Sequence, residues 1–330
     1  MNPKRSLAVA LSRLSFLSCG QKCELFSNLD NLSNLALLSI EDLKKLSGKN
    51  LSLDSWKPEL LVKQVERDLV LMEQYDINIV TCVDSDFPPL LKEIGQVPFA
   101  LYYRGDIGCL HKPCVGVVGT RHPDTEGLRA AFDFGKSLAE RGCTVVSGLA
   151  LGVDGASHKG ALAAENFIKS SISLLDSKIG TTAAFLGSGI DVIYPASNKA
   201  LAGRILRNKG CILSEYPLGT PALPYHFPER NRLISGVSSS VMVIEALEKS
   251  GSLITVDFAL EQNRDVFFHP VALDYVKNFA QESGKEKKKK NGSRVIRGIE
   301  DYIADGAMVS DSVDFVLEQG KYIYQNEFSF

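Results

Sequence analysis

Apolar positions in the first 75 residues recur at intervals of three and four: Leu7, Leu11 and Leu14, then Leu29, Leu32, Leu35 and Leu38, then Leu43 and Leu46. That spacing predicts short amphipathic helices, punctuated by Gly20 and Gly48. A longer helix is predicted over Leu60–Tyr75, with Leu61, Val65, Leu69 and Met72 on one face. Residues 1–75 therefore read as a small helical unit of the SAM or helix-hairpin-helix kind, or equally as a packing appendage.

The pattern changes at Ile77. Residues 77–81 and 101–106 predict strands, and Asp86–Leu91 a turn that opens a short helix. From Val115 onward, continuous apolar runs alternate with helical periodicity. Strands are expected from Val115, at 143–147, 183–186, 212–215, 241–245 and 266–269. Helices are expected at 124–141, 155–164, 197–208 and 252–261. Asp124 or Thr125 suits the cap of the first, and Gly142 the position after its end. Strands that are apolar throughout, rather than on alternate residues, belong to a parallel sheet covered on both faces. The chain thus reads as an α/β protein: helices over 1–75, then an extended Rossmann-like parallel sheet over 76–330.

Composition narrows the function. With 45% hydrophobic and 23% charged residues the chain looks globular. No apolar run approaches the ~20 residues that cross a bilayer, and no signal-peptide pattern opens the chain, so no membrane association and a cytoplasmic location are expected. A net charge of −2 excludes indiscriminate polyanion binding and requires any such site to be a local patch. The densest basic run, Lys285–Lys290, reads as a solvated loop or, less readily, a direct DNA contact. The seven cysteines contain no C-x-x-C pair. Buried reduced thiols fit better than a zinc site, and no metal or cofactor is called for.

Candidate chemistry gathers where strands end. Gly119-Thr120-Arg121, Ser147-Gly148 and Gly187-Ser188-Gly189 each follow a strand. Small residues there leave backbone N–H groups free to face an anion at the carboxyl edge of the sheet. Downstream, Pro224–Arg232 concentrates aromatics, an amide and two arginines. A phosphate chain carrying bases fits this set. Arg121 reads as a phosphate contact or as the partner of a carboxylate such as Asp124. Arg230 and Arg232 flank Asn231 where a helix is expected after Pro228, and one of the two arginines is free to anchor the loop. Lys199 lies in the first turn of its helix, where a cation opposes the macrodipole. Phe227, Tyr225 and His226 read equally as base-stacking platforms or as core.

The dinucleotide fingerprint fails, because Val192 stands where its third glycine is required, and the phosphate-binding P-loop motif is absent. Asp154 and His158 are spaced like a metal or acid–base pair, although no third ligand is evident and Asp154 also suits a helix cap. No catalytic triad is legible.

Taken in order, these motifs resemble the DNA-processing protein A family (DprA, also called Smf). The likeness rests on Phe87-Pro88-Pro89-Leu90-Leu91, Val118–Arg121, Ser147–Asp154, Leu186–Asp191, Tyr194-Pro195, Ser214–Thr220, Phe227–Ile234 and Ser250–Thr255. It implies a protein without enzymatic activity that binds and protects single-stranded DNA taken up in natural transformation, loads a RecA-type recombinase onto it, and acts as a homodimer. Carried over by motif, the DNA contacts are Arg121, Lys199 and the Arg230–Arg232 segment, with the loops at 147–148 and 187–189 shaping the pocket. The chain departs from the family pattern in a segment at 166–180 that reads as an inserted surface loop. Pro270-Val271 stands in place of Pro-Gly, and no C-terminal winged helix is visible. The rival reading is a nucleotide phosphoribohydrolase of the lysine-decarboxylase-like type. The comparable turn, Ser250–Asp257, lacks the Gly-Thr pair and the glutamate of that motif.

Overall fold

The structure is a computed structural model that describes residues 3–52, 56–170, 179–283 and 297–325. Five helices come first: α1 (Pro3–Arg13), α2 (Cys19–Asn28), α3 (Leu32–Ala36), α4 (Ile40–Ser47) and α5 (Pro58–Gln74). Ser18 and Ser39 cap α2 and α4, each in a reciprocal bond with the residue three positions on. Gly48 ends α4 in the left-handed conformation. Gly20 lies inside the first turn of α2 rather than between helices, where the Ser18 cap already fixes the helix start.

The sheet follows: β1 (Asn78–Thr81), β2 (Ala100–Gly105), β3 (Cys114–Val118), β4 (Thr144–Ser147), β5 (Thr182–Phe185), β6 (Cys211–Ser214), β7 (Ser240–Val243), β8 (Asp265–Phe268) and β9 (Met308–Val309). Among the described residues they form one nine-stranded sheet in the order β1-β2-β6-β5-β4-β3-β7-β8-β9. Strands β3 to β9 pair in parallel, and β1 and β2 extend the β6 side antiparallel. Every residue of β3, β4, β5, β6 and β7 is buried, as continuous apolar runs require.

Helices α6 (Thr125–Glu140), α7 (Val153–Ser170), α8 (Lys199–Arg207), α9 (His226–Gly236) and α10 (Gly251–Glu261) cover the two faces. The remaining helices are α11 (Pro270–Ser283), α12 (Ile299–Ala304) and α13 (Val313–Gln325). Asp124 is the cap of α6, accepting the Gly127 N–H at 2.9 Å, and Gly142 follows its end at φ 81°. Helix α7 runs on to Ser170, so the 166–180 segment begins as helix; residues 171–178 lie outside the described residues, as does the Lys285–Lys290 run.

The N-terminal helices and the sheet share an apolar core. Leu7, Leu11, Leu35, Leu43, Val65 and Met72 pack in one cluster with Tyr102 of β2, Ala184 of β5 and Ile212 of β6. Polar contacts add to it. Arg5 donates to Ile77 O at 2.7 Å, the Ser12 and Tyr102 hydroxyls are 2.6 Å apart, and Arg13 bridges the buried Asp68.

Candidate nucleic-acid interface

The carboxyl ends of β3, β4 and β5 open on the same edge, and the loops that leave them are locked together by backbone contacts. Thr120 N–H donates to Glu245 O at 2.7 Å, and Val153 N–H donates to Thr120 O at 3.2 Å. Gly152 adopts φ 73°, and a Cβ there would lie 2.4 Å from Thr120 O, so this approach needs glycine. Asn198 donates from Nδ2 to Leu149 O at 2.9 Å and to Ala150 O at 3.1 Å, which pins the start of α8 against the loop after β4.

Between these loops and the first turn of α9 lies a cleft of about 60 Å³. Its walls are Arg121, Gly148, Ala150, Leu151, Tyr194, Pro195, Phe227 and Arg230. Arg121 is exposed, with its guanidinium carbon 5.5 Å from the centroid of Phe227. Tyr194 stands half exposed beside Phe227, ring centroids 5.4 Å apart.

Arg230 forms the floor. It is only 4% exposed, and its Nε and Nη1 have no hydrogen-bond partner. Burial lowers its pKa to about 10, opposed by the carboxylate of Asp154, and the charge of Arg121 lowers it further. Gly148 is what admits it: a Cβ there would lie 1.6 Å from Arg230 Nη1. Two arginines thus face one narrow cleft, the inner one buried with unused donors. Unpartnered buried donors of this kind cost free energy, and an anion is the chemical group that would satisfy them.

Asp154 and His158 are buried close to the charge of Arg230 and do not line the cleft themselves. Asp154 accepts the N–H groups of Gly148 and Ala150 at 3.1 and 3.3 Å, and burial raises its pKa against the pull of Arg230. His158 is fully buried, and burial followed by the Arg230 charge lowers its pKa to about 3. Its Nδ1 lies 2.6 Å from Thr182 Oγ1, whose own proton goes to Val145 O. His158 therefore carries its proton on Nδ1 and leaves Nε2 unpartnered.

The other residues expected at the site take varied places. Gly119 and Thr120 line the approach to Arg121, half-buried. Ser147 is buried and donates to Val117 O at 2.7 Å, so its hydroxyl bridges β4 to β3. Gly187 lies under Phe227, where a Cβ would be 3.0 Å from the ring. Ser188 and Gly189 are buried and hold their own turn, Ser188 Oγ donating to Val192 O and Gly189 N–H to Thr220 O. Lys199 is exposed at the first position of α8, beside the Asn198 tether. Asn231 is half-buried and donates to Gly251 O at 3.0 Å. Arg232 is paired with Glu215 and points away from the cleft wall.

Helix α9 starts at His226 rather than after Pro228, so Pro228 falls in its first turn, where a missing N–H is harmless. Tyr194, Pro195 and Leu151 are cleft residues that loop position did not single out.

Comparison with known proteins agrees with this architecture. Residues 78–307 match the family model for DNA recombination-mediator protein A. The chain is 35% identical over 240 residues to the DNA processing protein DprA of Bacillus subtilis, covering 72% of this chain and 74% of that one. It is 39% identical over 208 residues to Protein Smf of Escherichia coli, where the match covers 63% of this chain and 52% of the relative. The chain thus spans about half the length of the Smf relatives from Escherichia coli and Synechocystis. Among solved structures, DNA processing protein A from Streptococcus pneumoniae aligns with a TM-score of 0.68 at 30% identity, over 96% of this chain and 98% of that one. Helicobacter pylori DNA processing protein A, described for its single-stranded DNA binding mode, aligns with a TM-score of 0.51 at 26% identity, over 64% of this chain and 90% of that one. A matching family model over most of the chain, carried on the sheet and loops described above, places this protein in the DNA recombination-mediator protein A family.

Proposed function

We propose that this chain binds single-stranded DNA in the Arg121–Arg230 cleft, protects it, and passes it as a homodimer to a RecA-type recombinase. The observation that carries the reading is the buried guanidinium of Arg230, with two unpartnered nitrogens on the floor of a cleft whose rim holds a second arginine. A phosphate entering between the two cations would satisfy the orphaned donors with charge-assisted bonds. Phe227 and the half-exposed Tyr194 stand where a neighbouring base would lie. A base stacks there only if it is unpaired, and such stacking contributes about 1–3 kcal/mol per base without sequence preference.

With a net charge of −2, attraction for a polyanion must come from a local patch rather than from the whole surface, and this cleft supplies two cations. The Helicobacter pylori relative, described for single-stranded DNA binding, lends its ligand class to the reading. No described helix is long and apolar enough to cross a membrane.

The test is an anisotropy titration of one labelled oligonucleotide as a single strand and as a duplex, on the same protein. Clearly tighter binding of the single strand is expected, and equal affinity for the duplex would overturn the reading. Incubation with nucleoside monophosphates tests the phosphoribohydrolase alternative, for which release of free base is the required result.

A further inference from the structure

Three thiols far apart in sequence meet on the side of the molecule where the N-terminal helices join the sheet. Cys19 is the first residue of α2, fixed by the Ser18 cap, and Cys23 lies one turn later on the same face. Cys82 directly follows β1, and its N–H is held by Phe99 O at 2.9 Å. Cys82 Sγ lies 3.8 Å from Cys19 Sγ and 3.1 Å from Cys23 Sγ, and all three sulfurs fall within 4.8 Å of one another. These separations exceed the ~2.05 Å of a disulfide. They approach the spacing of about 3.8 Å that sulfurs take around a common ion when each metal–sulfur bond is near 2.3 Å in tetrahedral geometry.

The chemistry of the cluster is selective. Among the described residues it is the one group of three or more His, Cys, Asp or Glu side chains close enough to share an ion, and it offers sulfur alone. Sulfur-only donors suit soft d10 cations and not magnesium or calcium. All three thiols are half-buried, so an ion has a way in, unlike the buried Cys109, Cys114, Cys143 and Cys211.

Binding an ion exchanges the thiol protons of the three cysteines for the metal, because the thiolate is the ligand.

We propose that Cys19, Cys23 and Cys82 form a three-thiolate site for a thiophilic d10 metal ion, zinc(II) or copper(I), that ties α2 to the edge strand β1. Three sulfur–metal bonds form, the three thiol protons pass to solvent, and no electron is transferred. Copper(I) is complete with three sulfurs, whereas zinc(II) takes a water in the fourth position. Closing the ring requires Cys23 and Cys82 to separate by several tenths of an ångström. Cys23 is on a surface helix turn, and a rotamer adjustment there supplies the movement. The inference goes beyond DNA binding and does not depend on it.

The experiment uses the full chain, reduced and kept anaerobic. Separate samples receive zinc(II) or copper(I) and are then desalted, with the metal measured by atomic emission and the accessible thiols by Ellman's reagent. A third sample receives cobalt(II) and is scanned for sulfur-to-cobalt charge-transfer absorption. One equivalent of metal retained, three thiols newly protected, a raised melting temperature and a charge-transfer band are expected. The ion that survives desalting identifies the occupant. Cys82→Ser and Cys19→Ser should each lose retention at least ~10-fold, the change that corresponds to about 1.4 kcal/mol. Circular dichroism and single-strand binding are read on the same samples, so that a folding defect is recognised. Should the wild type retain neither ion and protect no thiols, or should Cys82→Ser retain as much as wild type, the site does not exist. The wild-type protection measurement stands alone if a variant fails to fold.

Discussion

Arg230→Met separates a binding arginine from a structural one. Arg230 is a nearly buried cation with Nε and Nη1 unpartnered, attracted by Asp154 but repelled by Arg121. Each buried donor left without a partner costs about 1–3 kcal/mol. Methionine keeps much of the side-chain volume and removes both donors. Asp154 keeps the Gly148 and Ala150 N–H groups, so it does not become an orphan. The lost attraction to Asp154 is therefore offset, and the melting temperature should hold or rise. DNA binding should fall by the worth of a charge-assisted bond to phosphate, ~1.5–3 kcal/mol, or roughly 10- to 150-fold in affinity. Thermal melting and a single-strand titration on one preparation read both quantities. The reasoning fails if the variant instead loses the ~3–5 kcal/mol expected for a broken buried ion pair and binds DNA normally once folded.

Three further outcomes follow from the same geometry. Arg121→Glu should lower single-strand affinity at least ~10-fold, about 1.4 kcal/mol, with melting almost unchanged because the side chain is exposed; intact binding would move the site elsewhere. Gly148→Ala should weaken binding with little change in net charge, since the new Cβ would lie 1.6 Å from Arg230 Nη1 and must displace it; a crystal structure of the variant with Arg230 unmoved would refute this. Glu245 is fully buried beneath the Arg121 loop, and burial, followed by the nearby Asp124, raises its pKa from 4.5 to about 8. The folded state thus holds a proton that the unfolded chain releases near its ordinary value. The stability tied to that proton is full below pH 4.5 and is lost as pH rises toward about 8. Melting scans should show this decline in wild type and a flatter profile in Glu245→Gln, whereas identical profiles would contradict the assignment.

The sequence carried the parallel sheet clearly, because strands buried on both faces need unbroken apolar runs and β3 to β8 have them. Helix α6 was equally legible, with its Asp124 cap and Gly142 stop. The two-residue strand β9 and the six-residue helix α12 were not, because elements that short leave too little periodicity to read; the longer helices α11 and α13 were not read either. At the site, Arg121 and Arg230 converge as their loop positions suggested. Sequence position could not say which of Arg230 and Arg232 meets the cleft, because helix periodicity separates the two without fixing which side faces the loops. Two residues apart on α9, at 3.6 residues per turn, the side chains must point to nearly opposite sides. One meets the cleft and the other meets Glu215. In the loops read as shaping the pocket, Ser147 and Ser188 spend their hydroxyls on Val117 O and Val192 O, which sequence position alone does not show. Cys82 could not be joined to Cys19 and Cys23 from spacing, because only the packing of α2 beside β1 brings them together.

The central claim is that a phosphate of single-stranded DNA sits between Arg121 and Arg230. Its most direct test is the salt dependence of single-strand affinity, measured for wild type and for Arg230→Met. Each phosphate neutralised contributes about 0.7 to the slope of log affinity against log salt. The account predicts a shallow wild-type slope, reflecting a few phosphates, and a slope smaller by roughly one such increment in the variant. An identical slope in the two proteins would show that Arg230 touches no phosphate and would contradict the account.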